Sequence, residues 1–228
     1  MEIFSCTAAV NRRHRRRLEK LRSTVVNSSY LRRDPFNQNF RAKRTGPTEK
    51  SGPPRKELTF SITTNWNGDP VDHSPVVFRV GAADGTSVRV DVSGPLFNDP
   101  GPPAVASGGP CPELWEYEVA EIFFLGDKEK YLEDKLALSY TANTDDINKT
   151  WKGRAIIPLE YFPPDVTKIN AYAIHGSGNG RQYEALHPAS KEFHTPDFHR
   201  LQFFKEFDFK ALFPTSWIQP ESTHWTNI

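Results

Sequence analysis

Three glutamates stand at short intervals inside an apolar stretch of this 228-residue chain, and carboxylates in such a setting suggest binding or catalysis. The stretch, residues 114–125, reads LWEYEVAEIFFL and carries Glu116, Glu118 and Glu121. It predicts a strand, whose side chains alternate between two faces. A β-bulge near Ala120 would bring all three carboxylates to one face. Three carboxylates on one face repel each other unless water, arginine or a cation neutralises them.

Three interpretations of this face stay open. It is the solvated side of a half-buried strand, or a site for Ca²⁺ or sugar hydroxyls, or a glycosidase-like pair of carboxylates. Aromatic rings beside carboxylates suit a sugar ring, because the rings stack on it while the carboxylates accept from its hydroxyls. We therefore expect a small glycan or another polyhydroxylated molecule as ligand, no obligatory cofactor or metal, and Ca²⁺ as the candidate cation. The predicted ligand-binding residues are Trp115, Glu116, Tyr117, Glu118 and Glu121.

A hydrolytic enzyme is the alternative from another functional class. Its cluster would combine Glu118, Glu121, Asp197 and His199, with at least two of them within about 10 Å across an open cleft. The remaining histidines are spread without metal-ligand spacing, and the glycine-rich residues 175–181 predict a hairpin turn. We expect a non-catalytic domain. A protein-interaction scaffold is the third alternative, and a continuous exposed apolar patch would favour it.

The charge of the chain divides at residue 56. Residues 1–56 hold 15 Lys and Arg against 4 Asp and Glu, a net charge of +11, whereas the remainder has a net charge of −10. Few large apolar residues stand among the basic blocks, so we predict a disordered basic tail over 1–56 and a folded domain over 57–228. Nucleic acid could bind through the tail alone.

Short segments rich in Val, Ile, Thr, Phe and Tyr recur after residue 56, separated by Gly, Pro, Asn and Asp. This texture predicts a mainly β fold, an antiparallel β-sandwich. Aromatic residues at three- and four-residue steps over 198–213 predict a short C-terminal helix. The predicted strands are 58–66, 75–80, 86–92, 114–125, 130–138, 151–157, 168–175 and 181–186.

The cysteines and the lengths of the apolar runs bear on the cellular compartment of the protein. Cys6 and Cys111 do not form a disulfide or zinc pattern, and no apolar run approaches the roughly 20 residues that span a bilayer. We expect a cytoplasmic protein without membrane contact, with a nuclear location as the alternative that the basic tail suggests.

Several segments in order carry a family resemblance. They are WNGDPV (66–71), DVSGPLFNDP (91–100), the glutamate stretch (114–125), WKGRAIIP (151–158), YFPPDVTKINAYAIHG (161–176), YEALHP (183–188) and PDFHRL (196–201). Over residues 57–228 the chain resembles the animal protein family named after chromosome 4 open reading frame 33. That family has no established activity.

The resemblance implies a carbohydrate-binding-module-like β-sandwich. The family pattern W-x-x-E-x-x-E-x-F is similar to that of family 9 carbohydrate-binding modules, and Trp115, Glu118 and Glu121 are the matching positions. The chain departs from the family by its basic tail and by about 25 residues that are absent near 135–145. If central strands are lost there, we expect their neighbours to expose unpaired edges.

Overall fold

Two antiparallel sheets face each other across one shared apolar core. The computed structural model describes residues 2–5, 22–27, 56–101, 113–126, 139–222 and 225. Sheet A has seven strands and sheet B has five. The buried side chains between them come from both sheets, for example Phe78 and Val90 from sheet B and Ile122 from sheet A. The prediction of an antiparallel β-sandwich is confirmed.

The strands are numbered along the chain. They are β1 Glu2–Ser5, β2 Arg22–Asn27, β3 Glu57–Ile62, β4 Thr64–Asn65, β5 Val76–Ala82, β6 Ser87–Pro95, β7 Val119–Gly126, β8 Ser139–Asp145, β9 Thr150–Pro158, β10 Val166–His175, β11 Gln182–Ala185 and β12 Lys205–Glu206. Sheet A runs in the order β1-β2-β7-β10-β11-β4, with β12 also paired to β10. Sheet B runs in the order β3-β5-β6-β9-β8.

Along the strands of sheet B, buried side chains mostly alternate with more exposed ones. In β5 the side chains of Val76, Phe78 and Val80 are buried, whereas Arg79 between them is exposed. Strand β7 behaves differently, because every residue from Val119 to Gly126 is buried. One face of β7 meets the core between the sheets, and the other is covered by loops of the C-terminal third. A strand buried on both faces shows no polar alternation in its sequence.

Two predicted strands differ in their bounds. The segment 58–66 forms β3 in sheet B and β4 in sheet A, because the chain crosses between the sheets at Thr63. The strand predicted from residue 114 begins at Val119 instead, since Leu114–Glu116 forms a 3-10 turn. The strand predicted over 130–138 lies outside the described residues.

The predicted C-terminal helix is wrong. Residues 198–213 form two 3-10 turns, Leu201–Phe203 and Phe209–Leu212, on either side of β12. Phe204 is buried on the outer face of sheet A, whereas Phe207 is buried in the core between the sheets. One face of a helix cannot serve both sites, and an extended segment can.

Strands β1 and β2 lie within the segment predicted to be a basic tail. Strand β2 pairs with β7 in a register that joins Arg22 to Phe124 and Asn27 to Val119. The other residues of 1–55 lie outside the described ranges, so the tail, its nucleic-acid contact and the domain boundary stay predictions. Within the described ranges, no helix has the length and apolar character that crossing a membrane requires.

Candidate functional site

The aromatic half of the predicted site lies on a turn and not on a strand. Trp115 and Glu116 belong to the 3-10 turn Leu114–Glu116, and Tyr117 follows it in an extended conformation. Trp115 and Tyr117 are half-buried against a small apolar cluster built on Leu114, and Glu116 is exposed. Each ring therefore gives part of its surface to packing and keeps part of it accessible.

The carboxylates that were predicted to share a face are separated. The pairing of β7 with β10 runs without interruption from Val119 to Leu125, so the predicted bulge near Ala120 is absent. Glu121 consequently lies on the outer face of sheet A, with Phe123. Glu118 precedes the strand and faces the loop that follows β6. The register shift of this strand pair lies on β10, between Val166 and Lys168.

Glu118 holds that loop through its backbone. Its Oε1 accepts from the backbone N–H of Phe97 at 3.2 Å, and its Oε2 accepts from that of Asn98 at 2.6 Å. The side chain is buried, with 3% of the residue exposed. A carboxylate whose two oxygens both accept backbone hydrogen bonds is an anchor for the loop.

Two histidines and one glutamate meet at one end of the sandwich. The loop that follows β6 covers this end. His73 Nε2 lies 2.9 Å and His175 Nε2 lies 2.7 Å from Oε1 of Glu184. Ligand atoms of the three side chains all lie within 4.8 Å of one another. We call this group the histidine–glutamate centre. The side chain of Glu184 is 1% exposed, and within the described part of the chain its buried Oε2 has no hydrogen-bond partner.

The β10–β11 hairpin places two of these side chains together. His175 pairs with Gln182 and Ala173 pairs with Glu184, so His175 and Glu184 are diagonal neighbours on one face of the sheet. The face is the inner one, because Ala173 belongs to the core between the sheets. His73 comes from the connection between β4 and β5, where the chain returns from sheet A to sheet B.

Phe97 forms one wall of the centre. Its ring meets that of His73 edge-on, with the ring centroids 4.9 Å apart. The loop is also tied to the hairpin, because Asp99 O accepts from the backbone N–H of Gly176 at 2.7 Å. Glu118 and Gly176 therefore fix both sides of the segment that carries Phe97.

Glu121, Asp197 and His199, which were predicted as part of a hydrolytic cluster, form a second group on the outer face of sheet A. His199 Nδ1 lies 3.4 Å from Oδ1 of Asp197, and the hydrogen bond from the His199 side chain lowers the pKa of Asp197. Burial raises the pKa of Glu121 to about 7, and the charge of His199 opposes that rise. Glu118 lies apart from this group, so the predicted hydrolytic cluster is divided between two faces.

The cleft beside this outer group is small. It is lined by Trp66, Tyr172, Asp197 and Arg200 among others, and its volume is about 10 Å³. That volume holds about one water molecule. A sugar ring does not fit into it without rearrangement.

Neither His73 nor Glu184 is among the residues predicted from the sequence, and His175 belongs to the histidines that show no metal-ligand spacing. The sequence does contain a signal for His175 and Glu184. A hairpin turn at residues 178–180 places positions 175 and 184 close together on one face. His73 is about a hundred residues away in sequence, and no local pattern indicates its position.

The relatives of this chain among known proteins carry the same family name. The chain is 40% identical to "UPF0462 protein C4orf33 homolog" of Danio rerio, 42% identical to that of Mus musculus and 40% identical to "UPF0462 protein C4orf33" of Homo sapiens. Each match covers 74% of this chain and 96% to 100% of the relative. The chain matches no defined family profile and no solved structure.

The lengths of these matches reveal a shortening. Each alignment spans 195 residues, whereas 74% of 228 residues is about 169. About 26 aligned positions therefore hold no residue of this chain. This difference agrees with the predicted absence of about 25 family residues.

Proposed function

We propose that the chain, which belongs to the UPF0462 family, is a non-catalytic binding domain with its ligand site at the histidine–glutamate centre. One observation carries the proposal. Oε2 of Glu184 is buried and has no hydrogen-bond partner among the described residues, although Oε1 has two. A ligand that donates to this oxygen or coordinates it would remove that deficit.

The physical argument rests on the cost of burying an unpaired polar atom. Such an atom destabilises a fold by about 1–3 kcal/mol, and more when it belongs to a charged group. Few of these atoms occur in native proteins, and each calls for an explanation. Because His175 and Glu184 share one hairpin and the loop that carries Phe97 is anchored at both Glu118 and Gly176, the positions of these two side chains are set before a ligand arrives.

A binding role fits the described residues better than a catalytic one. Glu118 is buried and its two oxygens accept from the backbone N–H groups of Phe97 and Asn98, so it acts as a loop anchor and is not exposed to a substrate. Asp197 and His199 face solvent beside a cleft of about 10 Å³. An acid/base pair needs two carboxylates across an open cleft, and this arrangement does not supply one.

The predicted glycan or polyhydroxylated ligand would bind at a different position, the aromatic turn. Trp115 and Tyr117 offer partly accessible rings, and exposed Glu116 stands between them. Arg181 supports their backbone, because its guanidinium donates to the carbonyls of Trp115 and Tyr117. A ligand bound there would contact the turn and not the centre.

Thermal melting of the full chain with a panel of additives tests the proposal. The panel contains Zn²⁺, Ca²⁺ and a set of neutral sugars, and each additive is compared on the native chain, Glu184→Gln and Trp115→Ala. A ligand of the native state at 100 times its Kd stabilises by about 2.7 kcal/mol, which is several degrees in Tm. We expect the increase to shrink in Glu184→Gln and to persist in Trp115→Ala.

Two results would contradict the proposed site. A cooperative transition that no additive moves argues against a binding domain for any of these ligand classes. An increase that is lost in Trp115→Ala and kept in Glu184→Gln would transfer the site to the aromatic turn.

A further inference from the structure

The geometry of the histidine–glutamate centre points to a specific ligand class, and this inference rests on the proposed function. We infer that the centre binds one divalent transition-metal ion, with Zn²⁺ as the best match. The ligands would be Nε2 of His73, Nε2 of His175 and a carboxylate oxygen of Glu184. These atoms already converge, since both imidazole nitrogens lie within 2.9 Å of one carboxylate oxygen.

The donor types select the metal. Imidazole nitrogen suits Zn²⁺ and its first-row neighbours, whereas Ca²⁺ takes six to eight oxygen ligands and Mg²⁺ requires near-octahedral oxygen coordination. Two nitrogens and one carboxylate oxygen are therefore a poor Ca²⁺ site and an adequate Zn²⁺ site. The single negative charge of Glu184 would leave a net charge of about +1 on the bound ion and its ligands.

The distances require a small adjustment. Zn²⁺ binds nitrogen and oxygen at about 2.0–2.1 Å, so two ligand atoms in a tetrahedral site lie roughly 3.3 Å apart. The present separations of 2.9 Å and 2.7 Å to Glu184 Oε1 would open by about half an ångström, and the two imidazole nitrogens, which lie within 4.8 Å of each other, would move to the same tetrahedral separation. His73 can adjust most easily, because it lies on a connection between strands and its side chain is 17% exposed, whereas the separation between His175 and Glu184 opens by a rotation of their own side chains.

A purely structural role for the three side chains explains less. Two imidazole N–H groups donating to Glu184 would satisfy Oε1 and leave the buried Oε2 without a partner in the ranges that the structure describes. A metal ion bound to the carboxylate would neutralise its negative charge, which both oxygens share. Three protein ligands leave one tetrahedral position for water or an external ligand, which is the pattern of metal sites that remain open.

Metal binding to the full chain gives the direct test. Metal-depleted protein is titrated with Zn²⁺ by calorimetry and with Co²⁺ by visible absorption, where four-coordinate Co²⁺ gives intense bands. The variants are His73→Ala and Glu184→Gln, and the matched control is His194→Ala, which removes an exposed histidine elsewhere. The control shows whether the loss of a histidine outside the centre affects metal binding.

We expect the native chain and His194→Ala to bind with the same affinity and to show the Co²⁺ bands. His73→Ala and Glu184→Gln should weaken Zn²⁺ binding at least 10-fold and remove the bands, while circular dichroism shows that both stay folded. His73→Ala is the safer variant, because its site lies on a connection and not in the core.

The outcomes separate this inference from the proposed function. Absence of Zn²⁺ and Co²⁺ binding, or binding that both variants keep, overturns the metal inference. If another additive then raises Tm in a manner that depends on Glu184, the binding domain stands with a different ligand. If no additive acts through Glu184, both proposals fail.

Discussion

The ring of Phe97 lies parallel to the imidazole of His175, with the centroids 3.6 Å apart and the planes within 4° of each other. The phenyl ring covers one face of the imidazole and restricts its rotation. The stacking therefore holds the plane of the imidazole whose Nε2 lies 2.7 Å from Glu184. The stacking depends on the loop after β6, and Glu118 anchors that loop.

Glu118→Gln should destabilise the protein by about 1–3 kcal/mol. Each oxygen of Glu118 accepts one backbone N–H, from Phe97 and from Asn98. A glutamine offers one oxygen and one NH₂ group, so one of these donors would face another donor. Urea denaturation followed by fluorescence measures the change.

The matched control for this prediction is Glu116→Gln. Glu116 is exposed, and such a substitution changes the free energy of unfolding by about 0.5 kcal/mol or less. Equal effects of the two variants would show that Glu118 does not anchor the loop.

Stability should fall as the pH rises from about 4.5 to 7, through the ionisation of Glu121. Burial raises the pKa of Glu121 from 4.5 to about 7 in the folded protein. In this range the folded state holds a proton that the unfolded state has released, so the stabilisation is present below pH 4.5 and lost by pH 7. The full contribution is of the order of 3 kcal/mol.

Glu121→Gln should remove this contribution, because glutamine stays neutral. The measurement is the free energy of unfolding in urea at several pH values between 4.5 and 8, for the native chain and the variant. The difference between the two curves should grow with pH in favour of the variant. Parallel curves would mean that Glu121 ionises normally.

Gly126→Ala should destabilise the protein by about 1–3 kcal/mol through overpacking. A Cβ at this position would overlap the carbonyl oxygen of Pro164 and lie 3.0 Å from Cβ of Pro163. The expected decrease in Tm is several degrees for a domain of this size. The matched control is Gly85→Ala, where a Cβ meets no atom of the described residues within 4 Å. A control as destabilised as Gly126→Ala would reject the steric explanation.

Arg181→Lys should destabilise the hairpin and the aromatic turn together, by about 1–3 kcal/mol. The guanidinium donates to Gly176 O at 2.8 Å and to the carbonyls of Trp115 and Tyr117. A lysine ammonium is a single point of contact and cannot span these three acceptors. Thermal melting measures the loss, with Arg79→Lys at an exposed position of β5 as the control. Near-equal melting temperatures of the two variants would contradict a bridging role.

The sequence indicated the strands more reliably than their faces. In β5 the alternation of Val76, Phe78 and Val80 with exposed Arg79 marks both the strand and its inner face. In β7 the apolar residues are continuous because both faces are buried, so no alternation fixes the side on which Glu121 lies. The bulge was inferred to restore an alternation that a doubly buried strand does not have.

The candidate site was less predictable than the fold. His175 and Glu184 belong to one hairpin, and the turn between them is visible in the sequence. His73 joins them because the chain crosses twice between the sheets, and Phe97 reaches His175 because buried Glu118 holds its loop. These contacts are set by tertiary packing, whereas periodicity reports local structure.

The pairing of β6 with β9 bears on how the chain tolerates its shortening. The pair joins Pro95 to Thr150 and so closes a connection of 54 residues, from Leu96 to Lys149. If the 26 or so positions absent from this chain fall within it, the relatives close a loop of about 80 residues. The entropy of loop closure then differs by only about 0.3 kcal/mol. The shortening therefore acts on folding through the contacts that the extra residues would make and hardly through chain entropy.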